Sequence, residues 1–238
     1  LCDSDAVQIS ENTVTITEEG TYILSGTLSN GMIIVDAEDT DKIQIVLNGV
    51  EITSAQSAAI YVRSADKVFL TTASGSDNIL TNGGTYTTID DNNIDAVIFS
   101  KDDLTLNGAG TLRIKAEAGH GVVSKDDLVL TSGTYDITAA SHGLSGKDSV
   151  RILSGTFTIT SGKDGIHASN TDDSSLGFVY LADGSFKITA QDDGIHADSS
   201  TTILGGDIEI AQSYEGIEGF SIDITGGNIS VTASDDGL

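Results

Sequence analysis

Proline and tryptophan are absent from this chain of 238 residues, and cysteine and methionine occur once each. Proline deletes a hydrogen-bond donor from a β-ladder, so a chain without it suits strands paired on both sides. The one cysteine, Cys2, excludes an internal disulfide framework. Basic residues are scarce, with 11 Lys and Arg against 36 Asp and Glu, a net charge of −25. A surface of that sign repels nucleic acid and anionic membranes, and neither is an expected partner. No run of 18 apolar residues occurs, so no membrane-spanning segment is expected. Leu1-Cys2 admits two readings: an idle terminal thiol, or a cysteine left for acylation by lipoprotein processing.

What the chain does have is a repeat. From Gly121 to Gly165 two copies of one unit lie end to end, with Val122, Leu144 and Ile166 each 22 residues apart. Leu128, Leu130, Gly133, Tyr135 and Ile137 recur without a gap as Val150, Ile152, Gly155, Phe157 and Ile159. A fixed period of this kind indicates a solenoid. Apolar and polar residues alternate within each short segment, the period of a strand with one buried face, and Gly, Asn, Asp or Ser marks the turns.

Three short strands in about 22 residues are too few for a helical repeat, which needs 33 or more. The expected fold is all-β, a right-handed parallel β-helix whose hand follows the general preference of parallel crossovers. Like residues then stack, and Leu112, Tyr135, Phe157, Phe186, Ile208 and Ile229 form one inner column. A single domain is expected over residues 1–238, with a cap and first strands in 1–30 and coils in 31–238. Val7 to Thr17 reads as one capping strand. Polar excursions at 75–95 and 169–177 read as loop insertions, with Asp172 and Asp173 at the tip of the second.

The candidate chemistry lies in columns. The residues before successive turn glycines are His120, His142, Asp164, Asp193, Glu215 and Asp236, with Asp192 and Asp235 beside the later members. A second column, two residues beyond those glycines, holds His167, His196 and Glu218. Carboxylates about 4.8 Å apart on adjacent coils leave a midpoint about 2.4 Å from each oxygen, within the calcium–oxygen range. Asp164, Asp192, Asp193, Glu215, Glu218, Asp235 and Asp236 are therefore candidate calcium ligands. Against this stands the simpler reading that Asp-Gly is a favourable turn dipeptide. Spacing alone gives the four histidines no tetrahedral zinc set.

Lys101, Lys125 and Lys147 form a further column, each followed by Asp102, Asp126 or Asp148, with Lys163 nearby. It reads either as a self-neutralising surface ladder or as a groove for an acidic polymer, with His167 and His196 at its edge. Only Tyr61, Tyr86, Tyr180, Tyr214, Phe99 and Phe220 are left to stack on a sugar face, so the sequence suits hydrogen-bonded or cation-bridged sugar recognition better than stacking. No nucleophile elbow, phosphate loop, HExxH or CxxC occurs. For elimination from a uronate, Arg151 and Lys187 are the candidate bases, but the register puts them on other faces.

The strings VDAEDTDKIQIVLNGVEIT, AAIYV, SKDDLTLNGAGTL, HGVVSKDDL, GLSGKDSV, KDGIHASNTDD and DDGIHADSS together resemble a bacterial carbohydrate-binding β-helix family similar to pectate-type polysaccharide lyases. The resemblance covers nearly the whole chain. It implies a secreted or surface-attached protein that binds cellulose or acidic sugars, with calcium in lyase-like positions. No lyase base motif is matched. The expected function is non-catalytic carbohydrate binding, against a calcium-dependent pectate-type lyase and a structural or adhesive solenoid.

Overall fold

The alternation in Thr134–Ala139 turns Tyr135, Ile137 and Ala139 inward and leaves Thr134 and Thr138 outside. That strand pairs in parallel with Thr111–Ala116 on one side and Thr156–Ser161 on the other. Repetition of this relation generates the whole architecture. The computed structural model describes residues 5–238, so Cys2 and the acylation reading attached to it lie outside the described residues. Among the described residues 24 strands join one mostly parallel sheet, and there are no helices.

Three rows of strands run along the molecule. One passes through His120–Ser124, Leu144–Gly146 and Ile166–Ala168. The second passes through Asp127–Leu130, Ser149–Ile152 and Phe178–Leu181. The third passes through Thr134–Ala139, Thr156–Ser161 and Ser185–Ala190. Each strand thus meets its counterpart one repeat away, and one apolar cluster runs from Ile16 to Ile217.

The inner column follows its expected register from Leu112 to Ile229. Tyr135, Phe157 and Phe186 stack with centroids 5.0 and 4.8 Å apart, the spacing of neighbouring strands. Each such ring pair adds about 0.5–1.5 kcal/mol beyond area burial. Buried Asn78 continues the column above Leu112. Its carboxamide oxygen accepts from the amides of Gly49 and Val50, and its NH2 donates to Ser76 and the Thr111 carbonyl.

Two expectations are corrected. Val7 to Thr17 is not one strand but an antiparallel hairpin, Val7–Ser10 with Thr13–Ile16, turning at Glu11 with φ 51°. The second strand of the hairpin pairs with Met32–Asp36 and so covers the first turn of chain. The insertion at 75–95 is not all loop: Asp77–Asn82 is a strand in register with Thr111–Ala116 and with the end of Lys42–Ser54. Its polar composition hid it, because Asn78 and Asn82 occupy fully buried inward positions.

The glycines after the acidic column serve stacking rather than turning. None of Gly121, Gly143, Gly165, Gly194 and Gly216 has a positive φ. A Cβ at Gly143 would lie 2.5 Å from Ile159 Cγ2 and 2.6 Å from the Gly165 carbonyl oxygen, and Gly121, Gly165, Gly194 and Gly216 meet the same obstruction. Each coil's glycine makes room for the glycine below it, so the turn-dipeptide explanation of Asp-Gly does not apply here.

Candidate functional site

One outward-facing row of the sheet changes character along its length. At its start Ile34, Tyr61, Phe99 and Val123 pair in succession, and the segment that carries Tyr86, Asp90 and Ile94 covers them. Further on the row continues as Ser145, His167, His196 and Glu218, without that cover. The rest of the insertion therefore closes the apolar part of this face and leaves the polar part open. Tyr61 donates to Asp90, which also pairs with Arg63.

The two histidine columns of the sequence converge into one stack. His120, His142, His167 and His196 lie ring on ring with centroids 4.9, 4.1 and 5.0 Å apart. A ladder of hydrogen bonds locks the preceding column: the His142 amide donates to His120 Nδ1, the Asp164 amide to His142 Nδ1, and the Asp193 amide to Asp164 Oδ1. Asp164 Oδ2 lies 3.1 Å from His142 Nδ1 and 2.6 Å from His167 Nδ1. His196 Nδ1 lies 3.1 Å from Asp193 Oδ2 and 2.5 Å from Glu218 Oε2, and its Nε2 is 3.3 Å from Asp198.

These contacts separate the titrations. Burial presses His120 down to about 3, helped by the charges of His142, Lys125 and His167. Burial also lowers His142, although Asp164 pulls it the other way. His196 is raised to about 9, because Asp193, Asp198 and Glu218 outweigh its burial. Burial would raise Asp164, but the neighbouring imidazoles of His142 and His167 hold it far below the usual carboxylate range. Asp193 is raised by burial and then by its hydrogen bond to Glu218.

The donor atoms gather into three overlapping sets: His142, Asp164 and His167; Asp164, Asp193 and His196; and Asp193, Glu215 and Glu218, each within 4.8 Å. Of the sequence candidates, Asp164, Asp193, Glu215 and Glu218 are thus brought together. Asp192, Asp235 and Asp236 are exposed and outside these sets. Their charges, with that of Asp193, add to burial in raising Glu215.

Beside the stack runs a groove of about 250 Å³, bordered by His120, His142, His167, Lys125 and Lys147. The amides of Lys125 and Lys147 bond to the carbonyls of Ser100 and Ser124 one coil back, so the backbones of Lys101, Lys125 and Lys147 follow one another in register. Lys101 and Lys163 are exposed near it. The insertion at 169–177 contains no strand. It folds back through Asn170, which donates to Asp148, and brings Asp172 to 2.7 Å from Lys147.

Asp102, Asp126 and Asp148 follow those lysines, and Asp126 is raised to about 6, by burial and then by Asp103 and Asp148. A folded-state pKa above the unfolded one contributes stability below about pH 4 that is lost as pH rises through 6. Asp126→Asn is therefore expected to stabilise the protein at pH 7, by less than about 1 kcal/mol after solvent screening, with no gain at pH 4. Thermal melts at the two pH values check this.

Sequence reasoning missed Asp198 and Asn170. Asp198 lies two residues beyond His196 in a period-two segment, so alternation alone puts it on the same outer face. Asn170 carries no such signal, because its role depends on a loop conformation.

The chain that carries this polar face and its adjoining groove is similar to known proteins. The family model for carbohydrate-binding domain-containing proteins matches residues 10–238, and the chain belongs to that family. A carbohydrate-binding domain-containing protein of Acetivibrio thermocellus is 40% identical over 137 residues, 57% of this chain and 48% of the relative. The aligned stretch therefore spans about half the length of that relative. A solved structure, that of the polysaccharide lyase-like protein from C. thermocellum as a gadolinium derivative, has a TM-score of 0.85 at 35% identity, over 99% of this chain and 92% of that one.

Proposed function

We propose that this is a non-catalytic, right-handed parallel β-helix of one domain that binds an acidic, uronate-type polysaccharide together with calcium. The carrying observation is the groove of about 250 Å³, where Lys125 and Lys147 stand beside the histidine stack and the carboxylates of Asp193, Glu215 and Glu218 gather further along the same face. Lysines supply charge to sugar carboxylates, and a bound cation bridges sugar and protein carboxylates that would otherwise repel. The hand of the helix follows the preference of parallel crossovers.

Asp193, Glu215 and Glu218 suit calcium because they offer oxygen alone. Asp193 and Glu218 both approach His196 Nδ1, at 3.1 and 2.5 Å, so their carboxylates lie close enough for one cation to bridge them. Asp164 and the outlying Asp192, Asp235 and Asp236 would contribute charge around that centre.

The aromatics favour an acidic glycan over cellulose. Tyr61 and Phe99, candidates for stacking on sugar rings, are 0% and 1% exposed, and Tyr135, Phe157 and Phe186 face the core. Of the outward candidates, Tyr214 and Phe220 are exposed. A lyase would need a base near the cation. Arg151 pairs with Asp127, Lys187 lies 3.9 Å from Glu209, and neither borders the groove. A polymeric glycan does not enter a cell intact, so this reading implies a protein that works outside the cell or on its surface.

Retention on polygalacturonate and on cellulose, with calcium and with chelator, tests the reading when absorbance of unsaturated uronide is followed in the same samples. Calcium-dependent retention on polygalacturonate with flat absorbance is expected, and Glu218→Gln should weaken it at least about tenfold without lowering the melting temperature. Rising, calcium-dependent absorbance would instead establish a lyase. Calcium-dependent melting with no retention on either glycan would leave a structural solenoid.

A further inference from the structure

The nitrogen content of the three donor sets falls steadily along the face. His142, Asp164 and His167 offer two imidazoles and one carboxylate; Asp164, Asp193 and His196 offer one imidazole; Asp193, Glu215 and Glu218 offer none. Ligand softness decides which divalent ion such a set prefers. Imidazole suits zinc and its neighbours, whereas all-oxygen sets suit calcium and magnesium.

We propose that His142, Asp164 and His167 form a second cation site, selective for zinc-class ions and separate from the oxygen-only set. The geometry supports this in three ways. First, the Asp164 amide donates to His142 Nδ1 at 3.3 Å, which marks that nitrogen as the one with the free lone pair. The same lone pair lies 3.1 Å from Asp164 Oδ2, so two electron-rich atoms face each other where a cation would relieve the repulsion. A bound cation would replace the long amide bond.

Second, burial holds the donors in place, since the side chains of His142, Asp164 and His167 are 11%, 5% and 20% exposed. His167 Nδ1, which bonds to Asp164 Oδ2, gives up its proton as the cation enters. Third, the set is open on one side. His142 and His167 both border the groove, so a fourth position can be taken by water or by an oxygen of a bound ligand, as in open zinc sites.

Zinc–nitrogen bonds of about 2.0–2.1 Å put tetrahedral donors about 3.3 Å apart. His142 Nδ1 and Asp164 Oδ2 are already near that value. His167 Nδ1, at 2.6 Å from Asp164 Oδ2, has to move away by somewhat more than half an ångström, a change that its partial exposure permits. The site depends on neither glycan nor calcium binding, so its failure would leave the preceding reading intact.

Titration of the full chain with cobalt(II) chloride, followed by visible absorption, reads the site directly, with zinc(II) and calcium chlorides as competitors. One equivalent of cobalt should develop ligand-field bands that zinc abolishes and millimolar calcium does not. His142→Ala and His167→Ala should each weaken binding at least about tenfold, while Glu218→Gln leaves it unchanged. Absence of saturable bands, their persistence in both histidine variants, or their loss with Glu218→Gln or calcium would overturn the proposal. Circular dichroism shows whether each variant is folded, and His167→Ala, at the more exposed ligand, decides alone should His142→Ala not fold.

Discussion

Ile159→Asp is expected to lower stability by about 4 kcal/mol or more and to unfold the coils around it. Ile159 is 1% exposed, within an inward row that runs through Ile114, Ile137, Ile188 and Ile210. No cation or buried hydrogen-bond donor lies in that row, so the new carboxylate must either ionise without a partner or take up a proton at a raised pKa. The parallel ladders of Thr134–Ala139 and Ser185–Ala190 are tied to the same strand and lose their common partner. Ile159→Val, which keeps the shape and removes one methyl, should cost only about 0.5–1.5 kcal/mol. Urea titration of both variants measures the difference, and comparable midpoints would show that Ile159 is not packed as described.

Gly165→Ala is expected to destabilise by about 1–3 kcal/mol and to disturb the site at the same time. The new Cβ would lie 2.5 Å from Ile188 Cγ2 and 2.7 Å from the Gly194 carbonyl oxygen, so backbone or core must shift. Asp164 and His167 flank this position, and their mutual contact would loosen. Gly165→Asn separates the two explanations of the Asp-Gly pairs. A glycine needed for a left-handed turn is often replaceable by Asn, whereas one needed for close stacking is not. Asn should therefore be at least as harmful as Ala. Gly205→Ala, where a Cβ meets only the Ala182 carbonyl oxygen at 3.1 Å, should cost less. Thermal denaturation of the three variants ranks them.

Much of this architecture was legible because a solenoid repeats its physics. The alternation in Leu112, Tyr135 and Phe157 marks an inner column wherever a strand has one buried face, and the 22-residue step brings like residues into register without knowledge of any distant contact. The strand Asp77–Asn82 escaped notice because two of its inward positions are asparagines. Their burial is tolerable because Asn78 and Asn82 find backbone partners on distant segments, Val50, Thr111 and Ser57, and no local pattern announces such partners.

The site was legible by column but not by contact. His120 and His142 fall in one sequence column and His167 and His196 in another, yet the rings form a single stack. The difference is one of side-chain direction. Likewise Tyr61 and Phe99 were among the few aromatics the sequence left for stacking on a sugar, and only the return of the segment around Asp90 and Ile94 buries them.

The sequence by itself determined the all-β class, the length of the repeat, the inner columns and the acidic outer ones, because period-two alternation and a constant step are local properties. Tertiary structure alone decided that Asp164 sits between His142 and His167, that the aromatics are covered, and that the column glycines are there for clearance. Each of these depends on distances between coils and on side-chain directions, which the order of residues along the chain does not specify.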